Sequence, residues 1–336
     1  MRTRHTLYFV APYHVELREE PLPELAAREV LVETICSAIS AGSEMLLYRG
    51  QFPSVRDPHD RLSSALTYPA PYGYACVGRV IDVGPQVEGS LVGRLVFAFH
   101  PHSTHFAASL DHLHLLPADV SAEAACFLAN TETAITLVHD AAPLLGERAL
   151  VLGQGIVGLL TTALLAEFPL QTLLTADKYP LRRQLSLALG AADSLDPGRS
   201  DFRALALDRL GRAGADFSIE LSGAPSALND AIALTRFGGR IIIGSWYGAQ
   251  QATLDLGGAF HRSRICLYAS QVSTIRPELS ARWDKARRLA LAWDALRRIR
   301  PERWITHRIP IQQAPEAYRL IDQAPEAVLQ VLLVYP

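Results

Sequence analysis

The segment Gly153-Gln154-Gly155-Ile156-Val157-Gly158 constrains this chain more than any other. It follows the apolar run Ala149-Leu150-Val151-Leu152 and opens a helical pattern that continues through Glu167. A strand that enters a helix through such a turn needs glycine at three places. Gly153 permits the tight turn, Gly155 lets backbone come close to a pyrophosphate, and Gly158 allows close helix–strand packing. The helix N-terminus adds open N–H groups and the positive end of the dipole. The next strand pattern, Thr172–Asp177, ends in an acid 19 residues after Gly158. A carboxylate there can accept hydrogen bonds from both hydroxyls of an adenosine ribose. It would repel a 2′-phosphate, which favours NAD over NADP, although Lys178 and Arg182 close by blunt that preference. Strand, glycines, helix, strand and acid fall in the register of a Rossmann doubly wound parallel sheet; the bland alternative is a Gly-rich turn in another doubly wound fold.

The rest of the chain changes character twice. Residues 1–120 are β-rich, with runs at Val30–Ile35, Gly78–Val83 and Leu95–Phe99 closed by turn residues. Residues 50–72, with Pro53, Pro58, Pro69 and Pro71, are expected to be a surface loop. Ser121 opens an N-capped helical pattern that runs toward Asp140. From residue 148 apolar strands and helices alternate, which implies a parallel sheet covered on both faces. Near the end a helix is expected over 278–300, with Trp283, Ala286, Leu289, Ala290, Trp293 and Leu296 on one side. Two β-like runs follow, Ile305–Ile309 and Val328–Tyr335, too short for a domain of their own.

At 336 residues the chain is long enough for two domains. A formal net charge of −2 gives no overall field to attract nucleic acid or anionic lipid. The arginines of residues 282–303 read as the solvated face of an amphipathic helix. No stretch of about 18 apolar residues suggests a membrane span. The N-terminus, broken at Pro12, does not read as a signal peptide. Cys36, Cys76, Cys126 and Cys266 are scattered without a CxxC pair, which fits a reducing, cytoplasmic setting.

Several further segments stand in a familiar order: Val32–Gly50, Gly73–Gly84, Ala149–Gly158, Asp216–Gly223, Phe237–Gly244 and His307–Pro336. Together they resemble the medium-chain dehydrogenase/reductase (zinc-type alcohol dehydrogenase) superfamily over nearly the whole chain. Within it, SAISAGSEMLLYRG looks most like the sorbitol/threonine dehydrogenases and the bacteriochlorophyllide a dehydrogenases. The resemblance implies a GroES-like β-rich catalytic domain formed by residues 1–127 and 271–336, with a Rossmann domain at 128–270 between them. It implies a nicotinamide cofactor held at residues 153–158, Asp177, Lys178 and Gly223, a small-molecule substrate, and a homodimer paired along the apolar strand near Ile265–Ala269.

The same likeness implies that the usual zinc ligands are missing. The ligand Cys of the family falls at Ala41, the ligand His at Tyr74 in Gly73-Tyr74-Ala75, and the third ligand at Ala129. Catalytic zinc needs three protein ligands and an open position, so no zinc is expected. The alternative is a relocated metal using Glu132, Cys76 or the histidines His100, His102, His105, His112 and His114.

Without zinc another group must polarise a carbonyl or move a hydroxyl proton. Ser43 matches the hydroxyl residue that relays the alcohol proton in the resembled family. Tyr74 is either a proton donor or a filler of the emptied metal site. Glu44 is expected to pair with Arg49 or Arg79, or to accept from Tyr74. His100, after the strand Leu95–Phe99, is either an acid–base group or a hydrogen-bonded loop histidine. Three functions follow: a zinc-independent NAD(H)-linked oxidoreductase of a secondary alcohol–ketone pair, an NADPH-dependent reductase of enones or quinones, and a catalytically silent dinucleotide-binding sensor.

Overall fold

The computed structural model describes residues 3–52 and 67–336. They form two compact units, one of the described residues up to Ala129 together with Leu296–Pro336 and one of Asn130–Ala295. Most of the loop expected over 50–72 lies outside the described residues; Ala70–Pro71 pairs antiparallel with Phe9 and Tyr8.

The second unit carries a six-stranded sheet, every pair of it parallel. Its spatial order is Asp193–Leu195, Thr172–Ala176, Arg148–Leu152, Ala215–Glu220, Thr235–Ile243 and Cys266–Ala269. Numbered along the chain this is 3-2-1-4-5-6, the doubly wound Rossmann order, which reverses between the first and fourth strands. The alternation read from the sequence produces this sheet because its central strands bury apolar side chains at successive positions, as at Leu150 and Val151, Leu173 and Leu174, and Ile241 and Ile242. Leu150, Leu174, Phe217, Ile219 and Ile241 are all buried.

In the first unit the hub is the strand Glu29–Ala38. It pairs antiparallel with Cys76–Val83, with His105–Ser109 and with the C-terminal strand Gln330–Val334. The N- and C-terminal segments therefore share one sheet. Its described residues include an apolar cluster around Phe9, Met45, Leu47, Tyr318 and Leu333 and another around Val32, Val80, Val96 and Phe106. Ser121 caps the helix Ala122–Ala125 as expected, its Oγ accepting from the Ala124 N–H at 3.1 Å.

The helix expected over 278–300 is corrected in extent and in face. It divides into Pro277–Ser280 and Lys285–Ile299. Its buried side is Leu289, Ala292, Ala295, Leu296 and Ile299, whereas Ala286 and Ala290 are exposed. Arg288 also turns inward, because buried Glu132 receives it at 2.8 and 3.1 Å. Alanines on both sides leave the apolar stripe ambiguous in sequence, and the ion pair decides it.

Candidate functional site

In the second unit the glycine turn lies where the strand order reverses. Gly153 has φ of +92°, and a Cβ there would stand 2.5 Å from Leu221 C, on the neighbouring strand's exit. A Cβ on Gly158 would lie 2.1 Å from Gly153 O, so the helix Ile156–Leu165 packs against its own turn. Gly155 is different. It N-caps that helix with no side-chain cap, and a Cβ there would meet nothing within 4 Å. Open space above uncapped N–H groups is the cradle an anionic pyrophosphate needs. Ile156 and Val157 line its first turn half-buried, and Gln154 is buried, its side chain bonded to Gly153 O and Thr162 Oγ1.

Asp177 is buried at the end of Thr172–Ala176 and ties this turn together. Its Oδ2 accepts from Gln154 N at 2.7 Å and its Oδ1 from Tyr179 N at 2.8 Å. A carboxylate has about four acceptor sites, so lone pairs remain for a ribose. Lys178 is exposed with its ammonium over the Tyr179 ring, and Arg182 Nη1 stands 3.9 Å from Asp177 Oδ2. Gly223, with φ of +74°, donates its N–H to Ser245 Oγ at 2.9 Å. These residues fit a dinucleotide: an open glycine cap, a dipole end and an adjacent acid.

In the first unit a polar network surrounds Glu44, which is buried in the helix Ser43–Tyr48. Its Oε1 accepts from Ser40 N at 2.9 Å. Its Oε2 accepts from Tyr318 Oη at 2.5 Å and from His102 Nε2 at 3.0 Å. His102 Nδ1 lies 2.6 Å from Ser37 Oγ, which also meets Tyr335 Oη at 2.7 Å. The expected partners of Glu44 are thus corrected. Arg49 pairs with Asp322, Arg79 reaches Gly93 O, and Tyr74 turns to Ser40. A carboxylate wholly removed from water needs several donors close at hand; Ser40 supplies one locally, and His102 and Tyr318, distant in sequence, supply the others.

The Tyr74 phenol donates to Ser40 Oγ at 2.6 Å. Burial pushes it above the ordinary phenol range, and the Ser40 and Ser43 hydroxyls hold part of that rise back. It therefore stays protonated near neutral pH and can act as a hydrogen-bond donor or acid. Ser43 is half-buried, its N–H on Ser40 Oγ at 3.3 Å. Ser40, absent from the sequence expectation, joins the two; no local motif marks it.

His100 stands apart from this network. Its ring stacks on Phe106 at 4.2 Å between centroids, and Nδ1 faces Pro101 O at 2.8 Å. Burial lowers its pKa to about 4. A histidine whose folded pKa lies below the unfolded value stabilises the fold fully above about pH 6.5, and that stability fades as pH falls toward 4. His100→Phe should flatten the fall in Tm between pH 6.5 and 4.5; an unchanged Tm profile would refute the assignment.

The donor set does not fit a three-ligand zinc. Ala41 and Ala129 carry no donor, and Tyr74 spends its hydroxyl on Ser40. Among the alternatives, Glu132 is held by Arg288 and Lys285, and the Cys76 thiol, pushed up by burial, donates to His100 O. His105 meets Thr104, His112 meets Ser109, and His114 lies against Phe97 and Phe99. Among the described residues no three His, Cys, Asp or Glu side chains cluster as a metal site.

Comparison with known proteins agrees with this architecture. Residues 157–291 match the zinc-binding dehydrogenase family. The chain is 22% identical to an L-threonine 3-dehydrogenase of Xanthomonas euvesicatoria pv. vesicatoria, over 91% of this chain and 93% of the relative. It is 27% identical to the (R,R)-butanediol dehydrogenase of Bacillus subtilis, over 68% and 73%. A solved alcohol dehydrogenase of Escherichia coli CFT073, complexed with NADH, shares the fold with a TM-score of 0.80 at 18% identity, covering 99% of each chain. With a doubly wound sheet in one unit and a β-rich unit that includes its own C-terminal strand, the chain shares the fold of solved alcohol dehydrogenases and, over residues 157–291, matches the zinc-binding dehydrogenase family.

Proposed function

We propose that this protein is an NAD(H)-linked oxidoreductase that interconverts a secondary alcohol and a ketone without zinc, using Tyr74 as its proton donor. The observation that carries the reading is the Tyr74 phenol, bonded to Ser40 Oγ at 2.6 Å and standing where the resembled family has its ligand histidine. The relatives named above for threonine and butanediol oxidise secondary alcohols, which supports that substrate class.

Gly153, Gly155, Gly158, the N–H groups opening Ile156–Leu165, and Asp177 would hold the dinucleotide. Bound there, nicotinamide supplies or takes up the hydride. The protein's own part is the proton. In ketone reduction the Tyr74 O–H would turn from Ser40 Oγ to the carbonyl oxygen and give up its proton as alkoxide develops. The Ser40 and Ser43 hydroxyls stand beside the phenol oxygen and, once its proton has left, would turn to donate to it and relay its reprotonation. Glu44 is too deeply enclosed to meet substrate, and His100 is neutral and engaged elsewhere.

A homodimer is part of the proposal. The strand Cys266–Ala269 ends the six-strand order with Tyr268 exposed, and such edges invite pairing with a second copy. All four cysteines are free, in keeping with a cytoplasmic setting, and no described helix is long and apolar enough to cross a membrane.

The test is NAD⁺ or NADP⁺ reduction with 2,3-butanediol, L-threonine and a panel of polyols, alongside fluorescence titration with NADH and NADPH. Turnover with NAD⁺, and NADH bound at least about tenfold more tightly than NADPH because Asp177 repels the 2′-phosphate, are expected. Tighter NADPH binding with turnover of enones only would replace this reading by the enone reductase. NADH binding without any turnover would replace it by the sensor.

A further inference from the structure

We propose that His102 is the positioning residue of the Tyr74 proton donor, holding it from two sides; the inference rests on Tyr74 being that donor. The first route runs through hydrogen bonds. His102 Nε2 holds Glu44 Oε2 at 3.0 Å, Glu44 Oε1 holds Ser40 N at 2.9 Å, and Ser40 Oγ takes the Tyr74 hydroxyl at 2.6 Å. The second runs through the backbone. Gly73, directly before Tyr74, has φ of +131°, and a Cβ there would stand 2.8 Å from His102 Cδ2 and 2.9 Å from Nε2. The imidazole thus occupies the space a side chain at 73 would need, and braces the peptide that carries Tyr74.

Its geometry is over-determined. Ser37 Oγ fixes Nδ1 at 2.6 Å while Tyr335 Oη fixes Ser37. Tyr318 Oη and Ser40 N take their own places on Glu44, so the carboxylate cannot swing without losing donors. His102 and Glu44 are both 0% exposed, so neither reaches substrate. A ring locked at both nitrogens, behind a donor that must stay aligned, is the supporting layer that keeps a reacting group in place.

The experiment compares His102→Asn, His102→Gln and Tyr74→Phe, alone and combined. Gln places an amide nitrogen near Nε2 and keeps the Glu44 bond; Asn reaches only toward Ser37. His102→Asn should lower kcat at least about tenfold on the fastest panel substrate, with KM and NADH affinity little changed, since misplacing a reacting group by about 1 Å costs up to about 10²-fold. His102→Gln should recover most of that rate. In a Tyr74→Phe background His102→Asn should add no further loss, since both act through one hydroxyl. Hydrogen exchange on the Ser40 amide and on residues 73–76 should quicken in His102→Asn and not in His102→Gln. Additive losses, or wild-type exchange in His102→Asn, would overturn the proposal. If exchange quickens while Tyr74→Phe keeps full rate, the positioning stands and the donor reading fails. Should His102→Asn not fold, Glu44→Gln is read by the same rates and exchange, with the same two outcomes.

Discussion

Tyr74→Phe should lower turnover by about a hundredfold and leave NADH affinity unchanged. A positioned acid contributes about 10²–10⁴ to rate, and the substitution removes that proton and nothing else of size. The ring keeps its edge contact with Tyr72, at 6.4 Å between centroids. Ser40 Oγ loses one donor but still accepts the Ser43 N–H. The fold should therefore hold, and steady-state kinetics with a thermal melt reads the loss cleanly. Since the dinucleotide cradle is built from other residues, KM for NAD⁺ should stay within about twofold. An unchanged kcat would move the proton to Ser43 or to water.

The second large effect separates the glycines by what stands over each. Gly155→Val should abolish dinucleotide binding, by at least about a hundredfold in NADH affinity, while the melting temperature moves by only a few degrees. A Cβ at 155 would meet nothing within 4 Å, and the φ of −67° suits any residue, so the folded chain should accept it. Loss of a glycine N-cap costs about 1 kcal/mol, a shift of about 2–4 °C at this size. The added branch fills the space where a pyrophosphate would approach the N–H groups. Gly158→Val, by contrast, should destabilise the free protein as well, because its Cβ would stand 2.1 Å from Gly153 O. Calorimetric melts and NADH titration of both variants decide. Normal binding in Gly155→Val would mean the dinucleotide lies elsewhere.

The doubly wound half of the fold was readable because its determinants are local. Glycines at 153, 155 and 158 and the acid at 177 are tied to strand and helix ends by chain geometry, and the parallel order follows from apolar strands alternating with helices. The polar site was readable only by position. Ser43, Glu44 and Tyr74 stand in recognisable segments, but two of Glu44's three donors lie 58 and 274 residues away, in His102 and Tyr318. Arg49 and Arg79 are nearer in sequence yet find other acceptors, so charge alone misleads. His100 and His102 differ by two positions across a proline, and packing alone separates them. One ring stacks on Phe106, and the other is locked between Ser37 and Glu44. The one local signal for His102 is the glycine before Tyr74, which marks a crowded neighbour without naming it.

Chelation of an active preparation tests the central claim most directly. The protein is dialysed against a strong zinc chelator, its metal content is measured, and NAD⁺ reduction is assayed on its best panel substrate. A site in which Tyr74 has replaced the metal ligand predicts full turnover, within about twofold, at substoichiometric metal. Turnover that disappears with the metal and returns with added zinc would contradict the account.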